Sequence, residues 1–112
     1  MEGLVAGDAV TVPVPFTDFS SQKVRPALIL AALDREDVLL CQITSQPLTH
    51  KNAIPLYESD FFAGGLPKQS FLLPHRLVTA SSSIVRRVAG QLTEIRQAVC
   101  AVVRGEFNAR TR

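Results

Sequence analysis

Val10, Val12, Val14 and Phe16 occupy every second position near the start of the chain, with Thr11, Pro13 and Pro15 between them. A period of two predicts a half-buried strand, here over residues 9–14, entered by a turn at Gly7-Asp8. Pro13 has no N–H to give a ladder, which predicts an edge strand or an early end. Residues 26–31 are apolar at every position, the mark of a strand covered on both faces. Leu33-Asp34-Arg35-Glu36 supplies a turn, and residues 37–44 predict a further strand, antiparallel to the one before. It ends in the polar cluster Thr44-Ser45-Gln46, stopped by Pro47. Beyond this the pattern is weaker. A short strand around residues 53–57 contains Pro55, and residues 61–69 read as loop because of Gly64-Gly65 and Pro67, with Phe61 and Phe62 folding back to anchor it. Strands are expected at 70–73 and 77–79, with a bend at Pro74-His75-Arg76 between them. A turn at 80–83 and a strand over 84–89, closed by Gly90, complete the series.

The clearest period comes last. Ile95, Ala98, Val99 and Val102 fall at i, i+3, i+4 and i+7, which predicts an amphipathic helix widened by Leu92 and Val103. Thr93 suits its N-cap, Glu94 its positive end and Gly105 its C-terminus. Residues 108–112 carry nothing apolar to anchor them and are expected to fray. The chain is therefore expected to be mainly β (α+β): a small, strongly bent antiparallel sheet, barrel-like, packed against one C-terminal amphipathic helix.

Composition narrows the partners and the compartment. At 112 residues the chain is one domain, 1–112, with an ordinary apolar fraction of 46%. A net charge of +2 fits a nucleic-acid partner only if basic side chains gather on one face. Cys41 and Cys100 both lie in apolar segments and read as buried free thiols, which suggests a reducing compartment. No CxxC or HExxH spacing occurs, so neither a metal site nor a cofactor is indicated. There is no basic start followed by an apolar run, and no run of membrane-spanning length. A cytoplasmic protein without a membrane partner is the expectation.

One stretch carries candidate chemistry. Residues 17–22 have turn composition, and Arg25 follows, held extended by Pro26. A planar guanidinium at the mouth of a loop, with a buried strand behind it, is suited to gripping a phosphate.

Gly7-Asp8-Ala9-Val10, Val14-Pro15-Phe16-Thr17-Asp18 and Lys23-Val24-Arg25-Pro26-Ala27-Leu28 together resemble the opening of the MazF/PemK family of toxins from bacterial toxin–antitoxin systems. Cys41-Gln42-Ile43-Thr44-Ser45-Gln46, the stretch from Phe61 through Ser70, and Gly90-Gln91-Leu92-Thr93 resemble later family blocks, in order and at the right spacing. The resemblance implies an SH3-like barrel, a homodimer and a cognate antitoxin. It further implies metal-independent, sequence-selective cleavage of single-stranded RNA, with growth inhibition as the result.

Carried over by position, Arg25 matches the family's active-site arginine, and Thr44 or Ser45 matches the hydroxyl that ends the third strand. Some family members carry Arg and Asp where this chain has Leu73 and His75. His75 is therefore the candidate proton acceptor, ahead of His50, because histidine titrates near neutrality. Lys23, Gln46, Lys51, Lys68, Arg76 and Arg86 are candidate RNA contacts, and Phe19 a candidate stacking ring. Asp18 reads as a loop-ordering residue. A gyrase-directed toxin of the same fold, or a non-catalytic relic binding RNA or an antitoxin, are the alternative readings.

Overall fold

The computed structural model describes residues 3–14, 23–46 and 52–93. They form seven strands: β1 (Asp8–Val14), β2 (Lys23–Ala32), β3 (Asp37–Thr44), β4 (Ile54–Leu56), β5 (Phe61–Gly64), β6 (Ser70–Ser81) and β7 (Arg87–Leu92). All belong to one sheet in the order β4-β6-β3-β2-β1-β7-β5, and every neighbouring pair is antiparallel. The two outermost strands, β4 and β5, are consecutive in the chain and joined through a 3₁₀ turn at Glu58–Asp60. The sheet therefore has to curl until its edges approach, giving a mainly β, SH3-like half-barrel. The expected C-terminal helix, the frayed tail and Cys100 lie outside the described residues.

The unbroken apolar run of β2 has a direct cause. Ala27 and Ile29 enter one buried cluster with Val10, Val12, Val38, Leu40 and Val85. Leu28, pointing the other way, enters a second with Cys41, Ile43, Leu56, Leu72 and Leu92. Both faces of the strand are core, so no polar position interrupts it. The β3 strand spans the residues expected of it and pairs antiparallel to β2. Asp8 is 3% exposed and ties the start of the barrel together: its carboxylate accepts from Val5 N at 3.0 Å and from Gln91 Nε2 at 3.2 Å.

Four expectations need correction. The β1 strand is interior, between β2 and β7, rather than an edge. Pro13 is tolerated because β7 pairing ends at Thr11↔Arg87, so the proline lies beyond the last rung on that side. Residues 61–64 are a strand, not loop. Gly64, at φ +65, meets β7 there, and of the two aromatic residues only Phe61 packs on the core, Phe62 being 65% exposed. Residues 70–81 are one strand, not two, because the bend at Pro74 is absorbed as a bulge. Ile84 belongs to a 3₁₀ turn at Ser82–Ile84, which delays β7 to Arg87.

The β5–β7 contact leaves no room at Gly90. A Cβ there would lie 2.7 Å from Gly65 N, 2.8 Å from Phe61 Cδ1 and 2.9 Å from Ala63 O. Two of these neighbours are backbone and cannot step aside. Gly90→Ala is expected to destabilise the protein by about 1–3 kcal/mol, read as a lower urea midpoint with the slope unchanged. An unchanged midpoint would mean that β5 does not dock on β7 this closely.

Candidate functional site

The first two candidates lie near the adjoining ends of β2 and β3. Their pairing runs as far as Ala27↔Gln42, and Pro26, without an N–H, follows where it stops. Extended two steps beyond its last pair, that register would bring Arg25 level with Thr44. Alternation puts Arg25 and Ala27 on the same face of the sheet as Thr44 and Gln42. Neighbouring strands lie about 5 Å apart, so a guanidinium and a hydroxyl at these positions reach one phosphate. On its other side Arg25 pairs with Val12 of β1, and its Nε is buried. A half-buried arginine stem holds the fork in a restricted direction, as a bidentate clamp requires.

The Thr44 hydroxyl oxygen accepts from Gln46 N at 3.1 Å, which fixes its rotamer while leaving its proton to donate. Ser45 and the Gln46 side chain are exposed past the strand end. Thr44 is thus the better placed of the two hydroxyl candidates.

The β6 bulge supplies the next wall. Ile43 pairs with Leu72 and Cys41 with Leu77, so the four residues 73–76 stand opposite Gln42 alone. Leu73 and Pro74 stay in the core, and the Cys41 thiol, buried as expected, donates to Leu73 O at 3.0 Å. His75 and Arg76 are pushed to the surface. Bulges re-aim side chains in this way beside functional sites. Asn52 Nδ2 lies 3.0 Å from His75 Nε2.

Arg76 lines an open groove of about 300 Å3. Val12, Ala27 and Leu40 contribute apolar walls, Gln42 and Arg76 the polar groups, and Leu77 and Val78 further apolar surface. Val78 is 57% exposed there. A slot with apolar walls, an amide and a guanidinium is chemically matched to a nucleobase attached to a phosphate.

The remaining candidates distribute unevenly. Lys23 opens β2 opposite Val14, two residues from Arg25. Arg86 is exposed, its N–H donating to Thr11 O at 2.8 Å, which places it across β1 from the start of β2. Lys68 is not part of this groove; it lines a separate cavity of about 400 Å3 with Glu58, Gly65 and Gln69. Phe19, Lys51, His50 and Asp18 lie outside the described residues. Asn52 and Gln42 were not singled out by sequence: nothing in a lone amide marks it, and only the bulge and the register bring them into view. Among the described residues no three His, Cys, Asp or Glu side chains gather to hold a metal ion, and no helix is long and apolar enough to cross a membrane.

No protein-family model matches the chain, and no curated protein matches it in sequence. Solved structures do match. The MazE–MazF complex of Deinococcus radiodurans aligns in one crystal form with a TM-score of 0.74 at 15% identity, covering 94% of this chain and 96% of that one. A second form gives 0.72 at 17% over the same shares. An endoribonuclease from a mycobacterial species, in complex with its cognate antitoxin, aligns at 0.65 and 13% identity, over 92% of this chain and 90% of that one. At such identities the likeness is one of architecture, and it spans nearly the whole of each chain. The protein has the fold of the MazF toxins.

Proposed function

We propose that this protein is the toxin of a toxin–antitoxin pair, a single domain over residues 1–112 that cuts single-stranded RNA selectively and inhibits growth. What supports the reading is that Arg25 and Thr44 lie on the adjoining strands β2 and β3, each two residues beyond the last pair Ala27↔Gln42, next to the groove that Arg76 lines. In the reaction the ribose 2′-oxygen bonds to its own phosphorus and the bond from phosphorus to the 5′-oxygen breaks. The 2′-hydroxyl loses its proton to a base and the leaving 5′-oxygen gains one. The products are a 2′,3′-cyclic phosphate and a 5′-hydroxyl. Arg25 grips the two non-bridging oxygens of the charged phosphorane, and the Thr44 hydroxyl donates to one of them. His75, one residue from Arg76, is the proposed proton-transfer group. Arg76, Arg86, Lys23 and the Gln46 amide are the proposed RNA contacts. The exposed apolar side chains Val24, Leu77 and Val78 offer surface for a second copy of the chain or for an antitoxin. The MazE-bound neighbours support an antitoxin partner, and the cytoplasm is the compartment we assign.

Because the substrate brings its own nucleophile, cleavage needs no metal-generated hydroxide. Incubation with a cleavable RNA in excess chelator is expected to leave the rate intact. The same RNA with a 2′-deoxy sugar at the cut site is expected to stay whole. Cleavage of the deoxy substrate at the normal rate would rule out internal attack.

A further inference from the structure

Alternation along β3 puts Val38, Leu40, Gln42 and Thr44 on one face of the sheet. Val38 and Leu40 are buried there with Val10, Val12, Ala27 and Ile29. Gln42, the next position on that face, pairs with Ala27 of β2 and lines the groove with Val12, Leu40, Arg76, Leu77 and Val78. A run of core positions thus ends on a half-buried amide. A polar group among apolar ones costs free energy unless it is hydrogen-bonded, so an amide here is informative where a valine would not be. We propose that Gln42 is a specificity-determining residue, whose side-chain amide reads one base of the RNA, adenine, in this groove.

The inference deepens the function proposed above and rests on it for the RNA. Groove and phosphate clamp are continuous. Thr44 is two residues beyond Gln42 on the same face, about 6.5 Å along the strand. Arg25 is paired with Val12, which forms a wall of the groove. A nucleotide whose phosphate lies at the clamp therefore has its base within reach of Gln42. The apolar walls hold any flat base by contact alone, so identity has to come from the polar groups. Arg76 only donates, whereas a carboxamide both donates and accepts. It fits an edge that sets a donor beside an acceptor. Adenine presents that pair on its Watson–Crick edge and again on its Hoogsteen edge, both accessible in a single strand. Guanine's Hoogsteen edge is two acceptors, and a pyrimidine has no such second edge. A base that does not match leaves the half-buried amide unpaired, which is how a polar site rejects a ligand.

Cut sites mapped on a random-sequence single-stranded RNA test the assignment. Wild type is expected to show adenine enriched at one position of its motif. Gln42→Leu nearly keeps the volume but removes both hydrogen-bonding groups. It is expected to lower that enrichment by about fivefold to 150-fold, the worth of one bidentate base contact, with the other positions keeping theirs. Gln42→Glu replaces a donor and an acceptor by two acceptors. Guanine is the base with two donors side by side, N1–H and N2–H, so the same position is expected to change from adenine to guanine. A motif shared by all three proteins, or a wild-type motif without adenine, would overturn the proposal. A second measurement needs no cleavage: the Val78 methyl resonances of the full chain are followed by NMR as 5′-AMP, GMP, CMP or UMP is added. AMP is expected to shift them at the lowest concentration, and Gln42→Leu to abolish that preference. An equal response to all four nucleotides, or an AMP preference that survives in Gln42→Leu, would sink the idea. A protein that cuts no RNA but prefers AMP through Gln42 would refute the function while leaving the base site in place.

Discussion

Arg25→Lys is expected to slow single-turnover RNA cleavage by two to three orders of magnitude, about 2.7–4 kcal/mol of lost transition-state stabilisation by analogy with oxyanion-hole donors. The substitution keeps the charge and most of the stem, so it separates the guanidinium's geometry from its sign. A planar fork satisfies two phosphate oxygens at once, whereas an ammonium is a point charge with a different reach. Arg25 is held by its pairing with Val12 and by its buried Nε, so the longer arm cannot simply be replaced by a floppier one. The loss should fall on the chemical step, with RNA binding less affected, because the contact strengthens as charge develops on the phosphorane. Urea midpoints measured alongside separate this from unfolding. A lysine variant that cleaves at nearly the wild-type rate would place the phosphate clamp elsewhere.

Leu28→Ala is expected to have the largest effect on stability among single truncations of this core, about 2–5 kcal/mol. Leu28 is 0% exposed and lies mid-strand in β2, paired with Ala9 on one side and Cys41 on the other. Its side chain enters the cluster that joins β3, β4, β6 and β7, so the cavity would be framed by strands already fixed by pairing. Such a site collapses poorly, and the cost rises with the void that remains. Against a total stability of about 5–15 kcal/mol for an ordinary domain, the loss is a large fraction. Leu28→Met, which keeps the volume, is expected to cost less than about 1.5 kcal/mol. Equal urea midpoints for the alanine and methionine variants would show that this side chain is not enclosed as described.

Much of the barrel is legible without coordinates, for identifiable reasons. The β3 strand is bounded by a turn and a proline, and residues 26–31 of β2 are apolar at every position because both faces of the strand there are core. The β5 strand escapes notice because Gly64 looks like loop composition. That glycine instead answers to the close approach of β7, where its partner Gly90 is 26 residues further along the chain. The position of Pro13 misleads for a similar reason: its strand is interior, and only the early end of the β7 ladder spares it. At the site, Arg25 stands out in sequence because Pro26 and the loop frame it. Its nearness to Thr44 in the sheet follows from the β2–β3 register, which no local pattern specifies. Asn52 is invisible until the bulge turns His75 toward it, and Lys68 looks like a groove residue until its cavity proves to be another one.

The four-against-one bulge in β6 also bears on how such a protein can change over generations. Pairing is locked on both sides of it, at Leu72 with Ile43 and at Leu77 with Cys41, so residues 73–76 contribute nothing to the register of either flank. Half of the loop is an anchor, Leu73 and Pro74, and half is display, His75 and Arg76. Mutation can exchange the displayed pair, or alter the loop's length by a residue, without sliding β6 along β3 and turning its buried side chains outward. The barrel can thus be inherited intact while the chemistry at its mouth is rewritten. Leu73 and His75, the positions where the family resemblance sets an arginine and an aspartate in some members, are the kind of divergence such a segment allows.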